Sequence, residues 1–345
     1  MSRAVQVGSL QIGGGAPIVV QSMLNAPQGD IPSNLSQAKR LEEAGCQLIR
    51  LSVSGPQDID TIAALKQEIR VPLVADIQHN HVLALLAIDA GTDKIRINPR
   101  YIGTRPQLAE VVEKCKQHKV PIRVGVNSGS LEPELLEKYG GATAEALAES
   151  ALQCAAFVEE FNFHDIILSP KSSDIRTLIQ ACRIVAERSD YPLHLGLTEA
   201  GTAGQGSVKS AIAIGSLLAD GIGDTIRVSL TDDPVAEVKA AKDILRALDL
   251  LPDAPQFISC PTCGRTQIDL IGLATAVEEE LKQLNKKITV AVMGCPINGP
   301  GEAAQADIGI AGGNGVGLIF KKGKVLKKVP EEELLSALLE EIERL

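Results

Sequence analysis

Eight short aliphatic runs, each followed by a longer Ala- and Leu-rich stretch of helical periodicity, predict an α/β protein whose residues 1–250 form a TIM (β/α)8 barrel. A Pro-punctuated segment, "LDLLPDAP" (248–255), separates that region from a second, smaller α/β domain over residues 256–345, where the pattern changes. Aromatics make up 2% of the 345 residues and Trp is absent, so the core must be built from Ala, Val, Ile and Leu. Such side chains suit parallel strands covered by helices on both faces, and 345 residues exceed the usual size of one core. An open doubly wound sheet is the competing arrangement.

In chain order, residues 4–15, "AVQVGSLQIGGG", read as a small hairpin that plugs the bottom of the barrel. The eight strand candidates are "PIVVQS" (17–22), "LIRLSV" (48–53), "VPLVAD" (71–76), "KIRIN" (94–98), "PIRVGVN" (121–127), "DIILSP" (165–170), "LHLGLT" (193–198) and "TIRVSL" (225–230). Helical stretches such as "SNLSQAKRLEEAG", "DIDTIAALKQEI" and "SDIRTLIQACRIVAERS" lie between them, several opened by a polar cap and closed by Gly. From 256 the chain reads as a cysteine loop, a helix over about 268–286, the strand "ITVAVM" (288–293) and a second cysteine loop. Short strands "DIGIAG", "VGLIF" and "KVLKKV" follow, with a helix from 330.

The formal net charge of −9 argues against a sequence-independent grip on nucleic acid. No run approaches the ~20 apolar residues of a membrane span, and the N-terminus lacks a signal-peptide core, so a cytoplasmic protein is expected. Disulfides are rare in that compartment, so the seven cysteines divide into buried thiols and metal ligands.

The active site of a TIM barrel sits at the C-terminal ends of its strands. The polar residues there are Gln21 and Ser22, Arg50 and Ser52, Asp76, Arg96 and Asn98, Arg123 and Asn127, Lys171 and Ser172, Glu199, and Arg227 with Ser229. Arg50, Arg96, Arg123, Lys171 and Arg227 thus converge on one mouth in a negatively charged protein, which points to a small polyanion. Guanidinium forks suit phosphate oxygens, so a phosphate or diphosphate ester is the most economical ligand. One or two of the five are expected to pair with rim carboxylates, of which only Asp76 and Glu199 are at strand ends. Glu199 lies in "LTEAGTAGQGSVKSA", a Gly-rich turn read as leading to a helix start near Ser207. That turn is either an anion cradle or a plain connector, and Glu199 either a general acid or base or a partner of Lys171 or Arg227.

The second domain holds three thiols, Cys260 and Cys263 in "SCPTCGRT" and Cys295 in "MGCPINGPGE". All five histidines precede residue 195, and Cys46, Cys115, Cys154 and Cys182 sit in helical stretches as small hydrophobes. Structural zinc closes its tetrahedron with N or S donors, whereas iron–sulfur clusters are held by thiolates in loops with adjacent proline. The missing soft ligand therefore favours a cluster with one iron left for an oxygen ligand or a substrate. Glu302, seven residues after Cys295, is the nearest candidate, with Asn298 between them. Asp307 and Glu278 to Glu280 rank below it, since they begin a strand or lie on a helix face.

"VQSM", "PIRVGVNSGSLE", "TEAGT", "DGIGDTIRVSL", "CPTCGRT" and "MGCPINGPGEAAQADIGIAGG" together resemble the bacterial 4-hydroxy-3-methylbut-2-enyl diphosphate synthases of the non-mevalonate isoprenoid pathway, over residues 4–340. The resemblance implies a TIM barrel joined to a domain like those of ferredoxin-dependent reductases, carrying a 4Fe-4S cluster. It implies reductive ring opening and dehydroxylation of 2-C-methyl-D-erythritol 2,4-cyclodiphosphate to the allylic diphosphate and water, with flavodoxin or ferredoxin as electron donor. Carried over, the cluster ligands are Cys260, Cys263, Cys295 and Glu302, and the diphosphate ligands Arg50, Arg96, Arg123, Asn127, Lys171, Arg227 and Ser229. Glu199 is then the acid near the departing oxygen, with Asp76 nearby and Asn298 facing the cluster. A homodimer, with the active site between subunits, is implied as well.

Three loops depart from the family pattern. "VADIHF" is "VADIQHNH" here, placing Gln78 where a His is usual, with His79 and His81 behind it. "RINPGN" is "RINPRY", bringing Arg100 and Tyr101, and "QSMTNT" is "QSMLNA", bringing Leu24. A paralogue that reduces a related diphosphate is one alternative reading. Others are a Schiff-base lyase using Lys171 with a structural zinc, and a zinc-ribbon-like binding module on a degenerate barrel.

Overall fold

The computed structural model describes residues 1–296, 303 and 305–345, which divide into two compact units, Met1–Leu248 and Asp249–Leu345. The first unit opens with an antiparallel hairpin, β1 (Val5–Val7) and β2 (Leu10–Ile12). Eight parallel strands follow: β3 (Val19–Met23), β4 (Leu48–Val53), β5 (Leu73–Ile77), β6 (Lys94–Ile97), β7 (Ile122–Asn127), β8 (Ile166–Lys171), β9 (His194–Leu195) and β10 (Thr225–Ile226). They hydrogen-bond in the order β8-β7-β6-β5-β4-β3-β10-β9, and a parallel bridge between Leu168 and Leu193 brings the ends together. This is the TIM barrel expected from the repeating strand–helix pattern.

The helices around it are α1 (Ile31–Glu43), α2 (Pro56–Glu68), α3 (His81–Asp89), α4 (Arg105–His118), α5 (Pro133–Tyr139), α6 (Ala144–Glu159), α7 (Ile175–Arg188), α8 (Ala203–Ala219) and α9 (Pro234–Ala247). Their starts are set by local chemistry: Asp30, Asn80, Thr143, Asp174 and Asp233 each accept a hydrogen bond from a backbone N–H of the first turn. The α7 stripe Leu178, Ala181, Cys182 and Val185 shows the helical spacing that seats each helix on the strands.

Along each strand alternate residues point inward. At the N-terminal end the inward set is apolar, and Val19, Leu48, Val74 and Ile167 pack on Val5, Val7 and Ile12 of the hairpin. The hairpin therefore plugs that end, and the polar inward residues lie above it.

Three elements of the barrel differ from expectation. Strands β9 and β10 are shorter than 193–198 and 225–230; just past β9 the Gly196 carbonyl accepts from Lys171 Nζ at 3.1 Å. Helix α8 begins at Ala203 rather than near Ser207. Gly201, at φ +107°, turns the chain, Thr202 caps it, and the first helical bond runs from the Gly206 amide to the Thr202 carbonyl at 2.7 Å.

The second unit is a five-stranded sheet, β11 (Gln256–Ser259), β12 (Thr289–Met293), β13 (Ile308–Gly313), β14 (Val316–Lys321) and β15 (Lys324–Pro330), in that order. The first three strands are parallel and the rest antiparallel. Helices α10 (Leu270–Gln283) and α11 (Leu334–Glu343) supply Val277, Leu281, Leu334 and Leu338 to a core with Val290, Val292, Ile308 and Ile310. Strand β11 was expected to be part of the first cysteine loop; flanked by Pro255 and Pro261 and only partly buried, it lacks a strong period of its own. Among the described residues no helix is long and apolar enough to cross a membrane.

Candidate active site

The inward positions above the apolar layer carry the charge. Asp76 on β5 is the Cα partner of Arg96 on β6, which is in turn the partner of Arg123 on β7. Arg96 Nη1 donates to Asp76 Oδ1 at 3.1 Å, and Arg50 Nη2 donates to Oδ2 of the same carboxylate. Burial pushes the Asp76 carboxyl up, but Arg50 and Arg96 outweigh it and hold it below the usual carboxylate range. Two guanidiniums thus share one negative charge.

Arg123 is 1% exposed and has among the described residues a single hydrogen bond, from Nη2 to Ser169 Oγ at 3.1 Å; its Nε and Nη1 have no partner there. Lys171, the Cα partner of Asn127, has among the described residues only the Gly196 carbonyl. Glycines make room for these side chains: a Cβ at Gly125 would lie 2.4 Å from Arg96 Nε, and one at Gly196 would lie 2.3 Å from Lys171 Nζ. Arg227 is held by Glu237 of α9 through two hydrogen bonds of 3.1 Å and also touches Met23 Sδ at 3.3 Å.

Three of the five mouth cations are therefore paired, against the one or two expected. The additional partner is Glu237, not Glu199. Glu199 is exposed, adopts φ +54°, and makes no hydrogen bond or ion pair with the described residues. Its left-handed backbone is a conformation that a non-glycine residue adopts at a cost. Ser229 is half-buried two positions after Arg227. Five cations against the carboxylates of Asp76 and Glu237 leave a net positive mouth, so the expectation of a polyanion site survives a larger number of pairs.

A cavity of about 290 Å³ opens at this end of the barrel, lined by Gln78, His79, Arg96, Asn98, Tyr101, Gly125, Asn127 and Ser130. A larger hollow of about 650 Å³ lies elsewhere on the barrel, but Glu187, Asp190 and Asp224 line it with a single arginine, Arg188. Its charge is wrong for a polyanion. Of the departures from the family pattern, Gln78, His79 and Tyr101 face the cavity, His79 and Tyr101 meeting edge to face at 6.3 Å. Arg100 turns away from it, pairing with buried Glu132 at 2.7 Å and stacking over Phe157 at 4.7 Å. Leu24 is buried.

Several inward residues were not singled out from the sequence. Lys94 and His194 are each 0% exposed inside the barrel. Strict alternation would have found Lys94, two residues before Arg96 in "KIRIN". Glu237 had a signal too, since it interrupts the buried stripe Pro234, Val238, Ala241 and Leu245 of α9.

In the second unit Cys260 and Cys295 follow the C-terminal ends of the neighbouring parallel strands β11 and β12. The Cys260 amide donates to the Val292 carbonyl at 3.3 Å, and the Gln267 amide to the Gly294 carbonyl at 3.0 Å, tying the two loops together. The Gly294 amide donates to Cys260 Sγ at 3.2 Å and the Arg265 amide to Cys263 Sγ at 3.5 Å. The latter bond holds the exposed Cys263 thiol below its ordinary range. Amides aimed at sulfur suit thiolates that bind iron, so this donor set fits the implied cluster. Among the described residues no three Cys, His, Asp or Glu side chains are gathered to hold a metal ion. Asn298 and Glu302 lie outside the described residues.

Fold and site define a two-domain TIM-barrel protein with a cationic site at the strand ends. Residues 2–242 match the family model described as the GcpE TIM-barrel domain, and residues 256–344 match that of the GcpE protein C-terminal domain. The chain is 53% identical to the 4-hydroxy-3-methylbut-2-en-1-yl diphosphate synthase (flavodoxin) of Fusobacterium nucleatum, over 98% of this chain and 95% of that one. It is 54% identical to the enzyme of the same name from Clostridium perfringens, over 99% and 98%. Among solved structures, a dihydropteroate synthase of Coxiella burnetii superposes with a TM-score of 0.52 at 15% identity, covering 71% of this chain and 98% of that one, a likeness of fold alone. The chain belongs to the GcpE family.

Proposed function

We propose that the chain catalyses reductive ring opening and dehydroxylation of 2-C-methyl-D-erythritol 2,4-cyclodiphosphate, giving (E)-4-hydroxy-3-methylbut-2-enyl diphosphate and water. The observation that carries this reading is the buried, largely unpartnered guanidinium of Arg123 beside Lys171 and the Asp76-bridged pair Arg50 and Arg96. A buried donor without a partner costs about 1–3 kcal/mol, which an anion's oxygens recover on binding. The relatives' name, a diphosphate synthase, agrees with that ligand chemistry.

In this proposal Arg50, Arg96, Arg123, Asn127, Lys171, Arg227 and Ser229 hold the diphosphate, with Asp76 fixing the forks of Arg50 and Arg96 and Glu237 that of Arg227. Glu199, which has no hydrogen-bond or ion-pair partner among the described residues, donates the proton with which the departing hydroxyl leaves as water. Asn298 would face the cluster, orienting the Glu302 carboxylate or the bound substrate. Cys260, Cys263, Cys295 and Glu302 would hold a 4Fe-4S cluster, which when bound would supply the two electrons singly, drawn from flavodoxin, or from ferredoxin in its place. The working form is a homodimer.

A second reading, an imine-forming lyase, has one observation in its favour. Burial, and then Arg123 and Arg227, hold the Lys171 ammonium well below its ordinary range, as a nucleophilic amine requires. Borohydride trapping with a carbonyl substrate tests it and is expected to leave Lys171 unmodified. The main test is anaerobic incubation of the brown, iron-loaded protein with reduced flavodoxin and the cyclic diphosphate. The linear allylic diphosphate is expected; intact substrate, or a colourless protein holding one zinc, contradicts the proposal.

A further inference from the structure

Below the mouth one cation has no hydrogen-bond partner among the described residues. Lys94 opens β6 two residues before Arg96 on the same inward face; it is 0% exposed, and its Nζ makes no hydrogen bond. Arg50 from β4 and Arg123 from β7 act on it directly, and His194 from β9 lies within reach of the same three groups and of Lys171 from β8. Asp76, two residues beyond Lys94's strand partner Val74 on β5, has both oxygens committed to Arg50 and Arg96.

A dry layer with several guanidiniums, an ammonium and one shared carboxylate is electrostatically unfavourable. Arginine does not release its proton in proteins, so relief must come from another group. His194 has none to release near neutrality, since burial and then Arg123 hold its imidazole well below the ordinary value. Two lysines do: burial, then Arg123, hold the ammoniums of both Lys94 and Lys171 well below their ordinary value, but Lys171 keeps the Gly196 carbonyl as a partner whereas Lys94 Nζ has none among the described residues. An arriving dianion reverses the local potential and restores the reason to be charged.

We propose that Lys94 is a positioning residue of the diphosphate site: uncharged beneath Arg96 and Arg123 in the free protein, it takes up one proton from solvent as the cyclic diphosphate binds above it. Binding is thereby coupled to proton uptake, and the bound dianion is held by a cation that the free barrel does not carry. The inference rests on the substrate proposed above.

The test is calorimetric titration of the anaerobically purified, unreduced full chain with 2-C-methyl-D-erythritol 2,4-cyclodiphosphate, in buffers of different ionisation enthalpy. Without electrons there is no turnover. Each phosphorus of the ring carries one acidic oxygen, ionised throughout the neutral range, so the ligand exchanges no proton of its own. The wild type is expected to take up about one proton more than Lys94→Met, and its affinity to fall up to about tenfold more per pH unit across the coupled range. Lys94→Gln repeats the comparison if the methionine variant does not fold. Equal proton numbers in wild type and variant, or no uptake by the wild type, overturn the inference. Failure of the wild type to bind the cyclic diphosphate contradicts the substrate reading itself, and the inference falls with it.

Discussion

Arg227, at the end of the last barrel strand, is clamped by Glu237 of the following helix through two hydrogen bonds of 3.1 Å, and the same carboxylate accepts from Ser22 Oγ at 2.8 Å and from the Leu230 amide at 3.1 Å. One buried anion therefore fixes the first strand, the last strand and the loop beyond it. Removing it leaves a mostly buried guanidinium without its counter-charge. Glu237→Ala is expected to lower stability by about 3–5 kcal/mol, read from the urea midpoint. A change below 1 kcal/mol would show that solvent already screens the pair.

Asp76 makes a pH-dependent prediction. Its folded-state value lies below the ordinary 3.8, so its contribution to stability is fully present above that pH and is lost as the pH falls through the depressed value. The melting temperature of Asp76→Asn is expected to lie below that of the wild type at pH 7 and to converge with it in strong acid. A gap that stays constant down to pH 2 contradicts an ionised Asp76 bridging Arg50 and Arg96.

The barrel was legible because each strand and helix carries its own period, and the cations because Arg50, Arg96, Arg123 and Arg227 each follow an Ile; they do not all stand at strand ends, since Arg50 is third of six residues in β4 and Arg123 second of six in β7. What escaped depends on three-dimensional pairing. Glu237 sits in an ordinary helix and becomes a site residue only because α9 packs beside β3 and Arg227. The early start of α8 at Ala203 was hidden by glycines that read as loop, yet Gly206 is there because a Cβ would lie 2.7 Å from Leu230 and 2.8 Å from the Gly201 carbonyl. Strand β11 pairs through its backbone with β12, a bond partner that no local pattern announces.

Arg100, one of the departures from the family pattern, has a structural account. It neutralises buried Glu132, donates to Gln153 at 2.6 Å and covers Phe157. Arg100→Gly, restoring the usual family residue, is expected to leave Glu132 unpaired and to cost about 3 kcal/mol of stability. Affinity for the cyclic diphosphate, measured on the folded variant, should change less than about threefold. A large loss of affinity with unchanged stability would instead place Arg100 in the site.

The most direct test of the polyanion site is the dissociation constant of the cyclic diphosphate for Arg123→Met, measured by calorimetry against the wild type on unreduced protein. Methionine fills the buried space without charge, so the fold is expected to persist. Losing charge-assisted hydrogen bonds worth about 1.5–3 kcal/mol each should weaken binding by roughly ten- to a hundredfold or more. An affinity within about twofold of the wild type would contradict the claim that the unpaired cations of the barrel interior are what hold the diphosphate.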